Sequence, residues 1–353
     1  MPRIRLSPEK VRAEIADLQS KVSRSAQSLS DARDAKLGSC KRSAVFKIDG
    51  AVLYHYQARQ AVRNSVPLLI VYATVNRPDM VDLQQDRSLV RSLLDRGLDI
   101  YLIDWGSPNG ADRALGLADY ITRYIGACVD FICERSELPH LNLLGICQGG
   151  TFSVCYSALN RAKVRNLITT VTPIDFHTPD DMLSHLFRHV DVDVLVDSHG
   201  NISGDLLNSM FLSLKPFRLS QQKYLHMLDD ADDVETMRMF LRMEKWIFDS
   251  PALAGEAFRE FASDFYQKNK LIKGDIRIGG HNVDLREIDM PVLNIYARDD
   301  HLVPPPASLA LGDYIGTKDY QALEFPGGHI GLYVSSRAHA ILPDAIRDWL
   351  DER

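Results

Sequence analysis

A disulfide framework is missing from this chain. Its 353 residues include five cysteines, Cys40, Cys128, Cys133, Cys147 and Cys155, an odd number with no metal-ligand spacing. That usage fits a reduced, cytoplasmic protein. Positive charge is not in excess either: 41 Lys and Arg face 47 Asp and Glu, for a net charge of −6. No basic field is present to bind nucleic acid. No apolar run reaches the length of a membrane-spanning helix, and Met1-Pro-Arg-Ile-Arg-Leu-Ser7 lacks the apolar stretch of a secretion signal. Internal repeats, phosphate-binding glycine loops and dinucleotide fingerprints are also missing. With 45% hydrophobic and 25% charged residues, the composition is that of an ordinary globular protein, long enough for one large domain or two smaller ones.

Along the chain, Ser7 and Pro8 start a helix as N-cap and first helical residue. Val11, Ile15, Leu18, Val22 and Leu29 then form one narrow apolar stripe, suited to packing on the protein's own body or to a partner. Residues 1–40 read as this helix and a linker. Asp49-Gly50, between Ala44–Asp49 and Ala51–Tyr56, signals a hairpin. Runs without alternation at Val66–Tyr72, Leu98–Ile103, Leu141–Ile146 and Asn166–Val171 read as buried strands. Helices are expected over about Asp86–Arg96, closed by Gly97, and over about Leu117–Glu134. Strands alternating with helices predict a mostly parallel, doubly wound sheet over 41–173, resuming over 290–353.

From Ile174 to Asp289 the pattern changes. Strand-like runs are scarce, and helical Met, Leu and Phe patches such as Met237–Met243 take their place. This reads as a mainly helical cap inserted between core strands at the edge where ligands bind. His185 and His189, four apart, have no third ligand nearby and read as ordinary cap-helix residues.

The chemistry concentrates at Gly145-Ile-Cys147-Gln-Gly149. A buried strand runs into this turn and a helix follows it, which is the nucleophile-elbow pattern of an α/β-hydrolase with Cys in place of Ser. The glycines admit a strained turn, and the Gln148 N–H at the helix start is aimed at a developing oxyanion. In this fold the acid and then the base follow downstream. Asp300-His-Leu-Val303-Pro304 has the D-x-x-V-P spacing of the acid loop, with Asp299 one residue out of phase. His329 ends the loop after the strand-like Tyr320–Phe325. Cys147, Asp300 and His329 are therefore the expected catalytic triad. His301 is a rival base, though successive residues on extended backbone diverge. Each member alone reads as an ordinary packing, turn or surface residue.

With those residues in hand, the chain resembles the catalytic subunit of a class III polyhydroxyalkanoate synthase. The resemblance is carried by Pro67–Pro78, Tyr101–Gly106, Asn142–Gly150, Phe211–Phe217, Phe240–Pro251, Asp300–Pro305 and Phe325–Gly331. It implies an acyltransferase that polymerises (R)-3-hydroxyacyl-CoA, chiefly (R)-3-hydroxybutyryl-CoA, with CoA as leaving group and no cofactor. It further implies a second, non-catalytic subunit of the PhaE type, a homodimer, a growing polyester chain and attachment to polymer granules in the cytoplasm. A Cys nucleophile exchanges one thioester for another, so acylation is nearly balanced. The second oxyanion donor is expected from the loop after Val66–Tyr72, at Val75 or Asn76. Asp300 either orients His329 or helps to activate the acceptor hydroxyl. The alternatives are a Cys-dependent hydrolase of the dienelactone type, which needs no large apolar insertion, and a non-catalytic scaffold.

Overall fold

A computed structural model describes residues 37–214 and 233–353. The helix expected over Pro8–Leu29 lies outside the described residues. Eight strands form the main sheet: β1 (Arg42–Ile48), β2 (Ala51–Tyr56), β3 (Asn64–Val71), β4 (Leu98–Asp104), β5 (Leu141–Ile146), β6 (Val164–Thr170), β7 (Val292–Ala297) and β8 (Tyr320–Phe325). Their order across the sheet is β1-β2-β4-β3-β5-β6-β7-β8. Strands β3 to β8 are mutually parallel, and β2 runs antiparallel to both β1 and β4. This is the mostly parallel, α/β-hydrolase arrangement expected from the sequence.

Burial explains why the strands lack alternation. Every residue of β5 is buried, because the sheet is covered on both faces. Polar residues within it pair with one another. Asn166 Nδ2 donates to Asn142 Oδ1 at 2.9 Å, and Asn294 Oδ1 accepts from the hydroxyls of Thr169 and Ser308 at 2.9 and 3.0 Å. Such groups would be costly if left unpaired. The hairpin forms at Asp49-Gly50, with Ile48 opposite Ala51 and Asp49 at φ +49°.

Helices of six residues or more are numbered in chain order, the first three being α1 (Leu89–Leu94), α2 (Ile125–Ser136) and α3 (Gln148–Leu159). Helix α1 is shorter than the expected 86–96. Arg87 and Ser88 pair with Asp82–Gln84 as a small strand, and the Ser88 hydroxyl caps the helix by accepting from Arg91 N at 2.9 Å. The helix expected from Leu117 begins with a wider π-helical stretch, Asp119–Tyr124, and continues as α2. Helix α3 is buried from Gly149 to Ala158, as a helix between the sheet and a second layer must be.

The insertion after β6 contains α4 (Met182–Phe187), α5 (Val192–His199), α6 (Gly204–Leu214), α7 (Val234–Phe248) and α8 (Gly255–Glu260). Among its described residues the strands are one two-residue pair, Arg277–Ile278 with His281–Asn282. Residues 38–207 and 250–353 make one compact unit, and 208–214 with 233–249 belong to another. Within the first unit the insertion is fastened to the core. Ile174 and Asp175 N–H donate to Ala307 O, and Leu117 N–H donates to Glu260 Oε2 at 2.5 Å. Phe176, Phe261, Phe265 and Tyr266 stack edge-on or face to face, and Phe261 also meets Phe152 of α3. The last helix, α9 (Ser336–Asp351), buries Leu342, Ile346, Trp349 and Leu350. No helix among the described residues is long and apolar enough to cross a membrane.

Candidate active site

The strand order reverses at β3: the chain goes from β3 to β4 on one side, and β5 lies on the other. Ligands of open parallel sheets bind at the C-terminal ends of the strands at such a switch point. Cys147 directly follows β5 there, at φ +53° and ψ −124°, a region that non-glycine residues seldom occupy and that stores strain. Close packing holds it in place. Cys147 N–H donates to Thr170 O at 2.9 Å, and its carbonyl accepts from Gly150 N–H at 2.9 Å. A Cβ at Gly145 would lie 2.5 Å from Gly150 Cα and 2.6 Å from Ser153 Oγ, and one at Gly149 would lie 2.5 Å from Tyr72 O. Only glycine allows the strand, turn and helix to approach this closely.

Asp300 and His329 follow β7 and β8 by three and four residues. Because these strands pair in register, Ala297 with Phe325, the two loops leave the sheet side by side. His329 Nδ1 lies 2.7 Å from Asp300 Oδ2. The other oxygen, Oδ1, accepts from Leu302 N–H at 2.8 Å and Val303 N–H at 3.0 Å. Asp300 is thus an acceptor on both oxygens, which fixes the Nδ1 proton and leaves Nε2 for other work. Cys147 is the other group whose interaction raises His329. Burial works to lower the pKa of His329. The Asp300 carboxylate bonded to it, together with the neighbouring Cys147, outweighs this and holds the imidazole well above its usual value.

The structure therefore brings Cys147, Asp300 and His329 together. It separates the near misses: the Asp299 side chain is 62% exposed beside Arg298, whereas that of Asp300 is 0% exposed. Cys155 is buried in α3, and burial pushes its thiol up to about 12. His185 donates to Pro179 O at 2.9 Å. Among the described residues no group of three or more His, Cys, Asp or Glu could hold a metal.

Gln148 is the first residue of α3, so its N–H has no intrahelical acceptor. The loop after β3 carries Val75 and Asn76, the latter at φ +61°. No hydrogen bond from either N–H occurs among the described residues. Several neighbours escaped the sequence reading. The phenols of Tyr72, Tyr266 and Tyr333 are raised chiefly by burial. Tyr72 directly follows β3 at the switch point, so the strand order locates it. Tyr266 lies in the insertion and has no local signal.

Residues 66–336 match the alpha/beta hydrolase fold family. Solved structures of similar fold include a monoacylglycerol lipase from Paleococcus ferrophilus, 16% identical with a TM-score of 0.54 over 84% of this chain and 98% of that one. The metagenomic lipolytic enzymes LipS and LipT are represented at 14% identity and a TM-score of 0.53, over 87% and 100%. Poly(3-hydroxyalkanoate) polymerase subunit PhaC of Thiocystis violacea is 52% identical over the full length of both chains. The protein of the same name from Allochromatium vinosum is also 52% identical, over 99% of each. This chain belongs to the PhaC family. Together with the 52% identity to the Synechocystis PhaC, over 91% of this chain and 86% of that one, the match places it with the class III polymerases. It is a PhaC-type acyltransferase on an α/β-hydrolase fold.

Proposed function

We propose that the chain polymerises (R)-3-hydroxyacyl-CoA, chiefly (R)-3-hydroxybutyryl-CoA, through a thioester on Cys147. The contact of Cys147 with a His329 that is itself bonded to Asp300 carries this reading. His329 takes the thiol proton, since the thiolate is the reactive form of cysteine. The sulfur attacks the substrate carbonyl, the new C–S bond forms, and the bond to CoA breaks. CoA leaves as a thiol after receiving the proton from His329. Negative charge on the carbonyl oxygen is met by the N–H of Gln148 and of Val75 or Asn76.

Transfer then reverses these roles. The 3-hydroxyl of an incoming hydroxyacyl-CoA loses its proton to His329, with Asp300 as orienter or helper, and attacks the Cys147 thioester. The C–S bond to Cys147 breaks, and the lengthened chain, now on CoA, acylates Cys147 again. Water would end the chain as a free acid, and the phenylalanines and tyrosine around Phe176 and Tyr266 support its exclusion. We assign residues 174–289 the role of cap, and within the N-terminal helix and linker of 1–40 we assign the stretch from Pro8 to about Leu29 that of a docking helix. The chain is proposed to act in the cytoplasm as a homodimer with a second, PhaE-type subunit at the polymer surface.

Incubation with (R)-3-hydroxybutyryl-CoA tests the reading. CoA release with insoluble polymer, and an acyl mass on the peptide containing Cys147, are expected. CoA with only free acid indicates a hydrolase, and no CoA release indicates a scaffold. Either result overturns the proposal.

A further inference from the structure

The side chain of Gln148 does a second job, independent of its backbone N–H. Its Oε1 accepts two hydrogen bonds from one residue of the loop after β3, from Thr74 N–H at 3.1 Å and from the Thr74 hydroxyl at 2.7 Å. The backbone N–H can only donate, so the amide is oriented with its oxygen toward Thr74. Thr74 is 7% exposed, so both donors would be costly to leave unpaired. The same loop is held at two further points. Trp105 Nε1 donates to Tyr72 O at 2.9 Å, and the Ser250 hydroxyl bonds Asn76 Oδ1.

We infer that Gln148 and Thr74 form a latch between nucleophile turn and β3 loop, and that this latch positions the second half of the oxyanion hole. With the Thr74 N–H consumed, the next two N–H groups, of Val75 and Asn76, make no hydrogen bond among the described residues. Tying the loop to Gln148 also ties those donors to the Gln148 N–H, the other half of the hole. One residue thereby supplies a donor through its backbone and sets the place of its counterpart through its side chain. Thr74 and Gln148 Oε1 are positioning groups, since neither needs to touch the substrate. The inference rests on the acyl-enzyme reading above.

Preorganised donors matter only where an oxyanion develops. Acylation of Cys147 by a CoA thioester needs them, and alkylation of the same sulfur by iodoacetamide does not. Gln148→Met keeps the backbone N–H and the side-chain length but removes both acceptor bonds. Thr74→Val removes only the hydroxyl bond, and Thr74→Ser restores it. The full chain is assayed by rapid quench for the first release of CoA from (R)-3-hydroxybutyryl-CoA, beside iodoacetamide alkylation of Cys147.

Gln148→Met is expected to lower kcat for acylation by roughly 10- to 100-fold with KM little changed. Thr74→Val should fall less, Thr74→Ser should recover, and the double variant should be no worse than Gln148→Met. All should alkylate Cys147 at the wild-type rate. A parallel loss of alkylation would reduce the pair to general support of the turn and overturn the latch. Wild-type acylation by Gln148→Met would also overturn it, while leaving the acyl-enzyme intact. If the wild-type protein takes no acyl mass on Cys147, both readings fall.

Discussion

The imidazole of His329 is held by the Asp300 carboxylate at 2.7 Å, and the nearby Cys147 also favours its protonated form. Burial alone would lower its pKa, but those neighbours win and raise it above the ordinary 6.5. The sign of the pH dependence follows. Between the unfolded and folded values the native protein binds the extra proton, so stability falls as pH rises. The contribution is complete below about pH 6.5 and is lost as pH passes through the raised folded value. Urea unfolding measured from pH 6 into the alkaline range should show this loss in the wild type, and His329→Gln should lack it. Equal slopes for both proteins would remove His329 as the source. In the same variant, acylation of Cys147 should slow by roughly 10²- to 10⁴-fold. Cys147→Ala should abolish acyl transfer, whereas Cys155→Ala should retain it, because the Cys155 thiol is buried in α3 and raised to about 12. Polymer formation by Cys147→Ala would refute the nucleophile assignment.

The nucleophile turn is a single element made of the end of β5, Cys147 and the start of α3, and its glycines are its most sensitive points. Gly145→Ala would put a methyl against Gly150 Cα and Ser153 Oγ, at 2.5 and 2.6 Å. The cost should be about 1–3 kcal/mol, typical of overpacking. The strained Cys147 backbone depends on that close approach, so iodoacetamide labelling should slow together with acylation, unlike in the latch variants. Unchanged stability by urea melt, with wild-type labelling, would show that the turn tolerates a side chain. This element was readable from sequence because glycine spacing reports backbone geometry directly. Asp300 and His329 were readable because each follows an apolar run of strand length. Other features depend on contacts that no local pattern records. Arg87 and Ser88 left the expected helix to pair with Asp82–Gln84. The Thr74–Gln148 bonds span 74 residues, and Tyr266 packs against Phe176 and Phe187 from within an insertion whose periodicity signals only helices.

At the scale of the molecule, the sheet accounts for the position of the chemistry but not for its control. Parallel strands β3, β5, β7 and β8 bring the Val75–Asn76 loop, Cys147, Asp300 and His329 to one edge of the sheet. What a polymerase needs beyond it is repeated admission of hydroxyacyl-CoA while water stays out. We expect that control to come from a second subunit, with the apolar residues Val11, Ile15, Leu18, Val22 and Leu29 as its proposed docking sequence. A partner that binds one state of the chain more tightly shifts its population. A preference of about 5.5 kcal/mol turns a 1:99 mixture into 99:1. The isolated chain should therefore release CoA slowly after a long lag, and co-expression with the second subunit should shorten the lag and raise the rate. If this segment docks the second subunit, exchanging Ile15 and Leu18 for serine should restore the lag in the mixture and leave iodoacetamide labelling of Cys147 unaltered. Full activity without a lag in the purified chain would end the case for control by a partner and leave the assignment of Cys147, Asp300 and His329 standing.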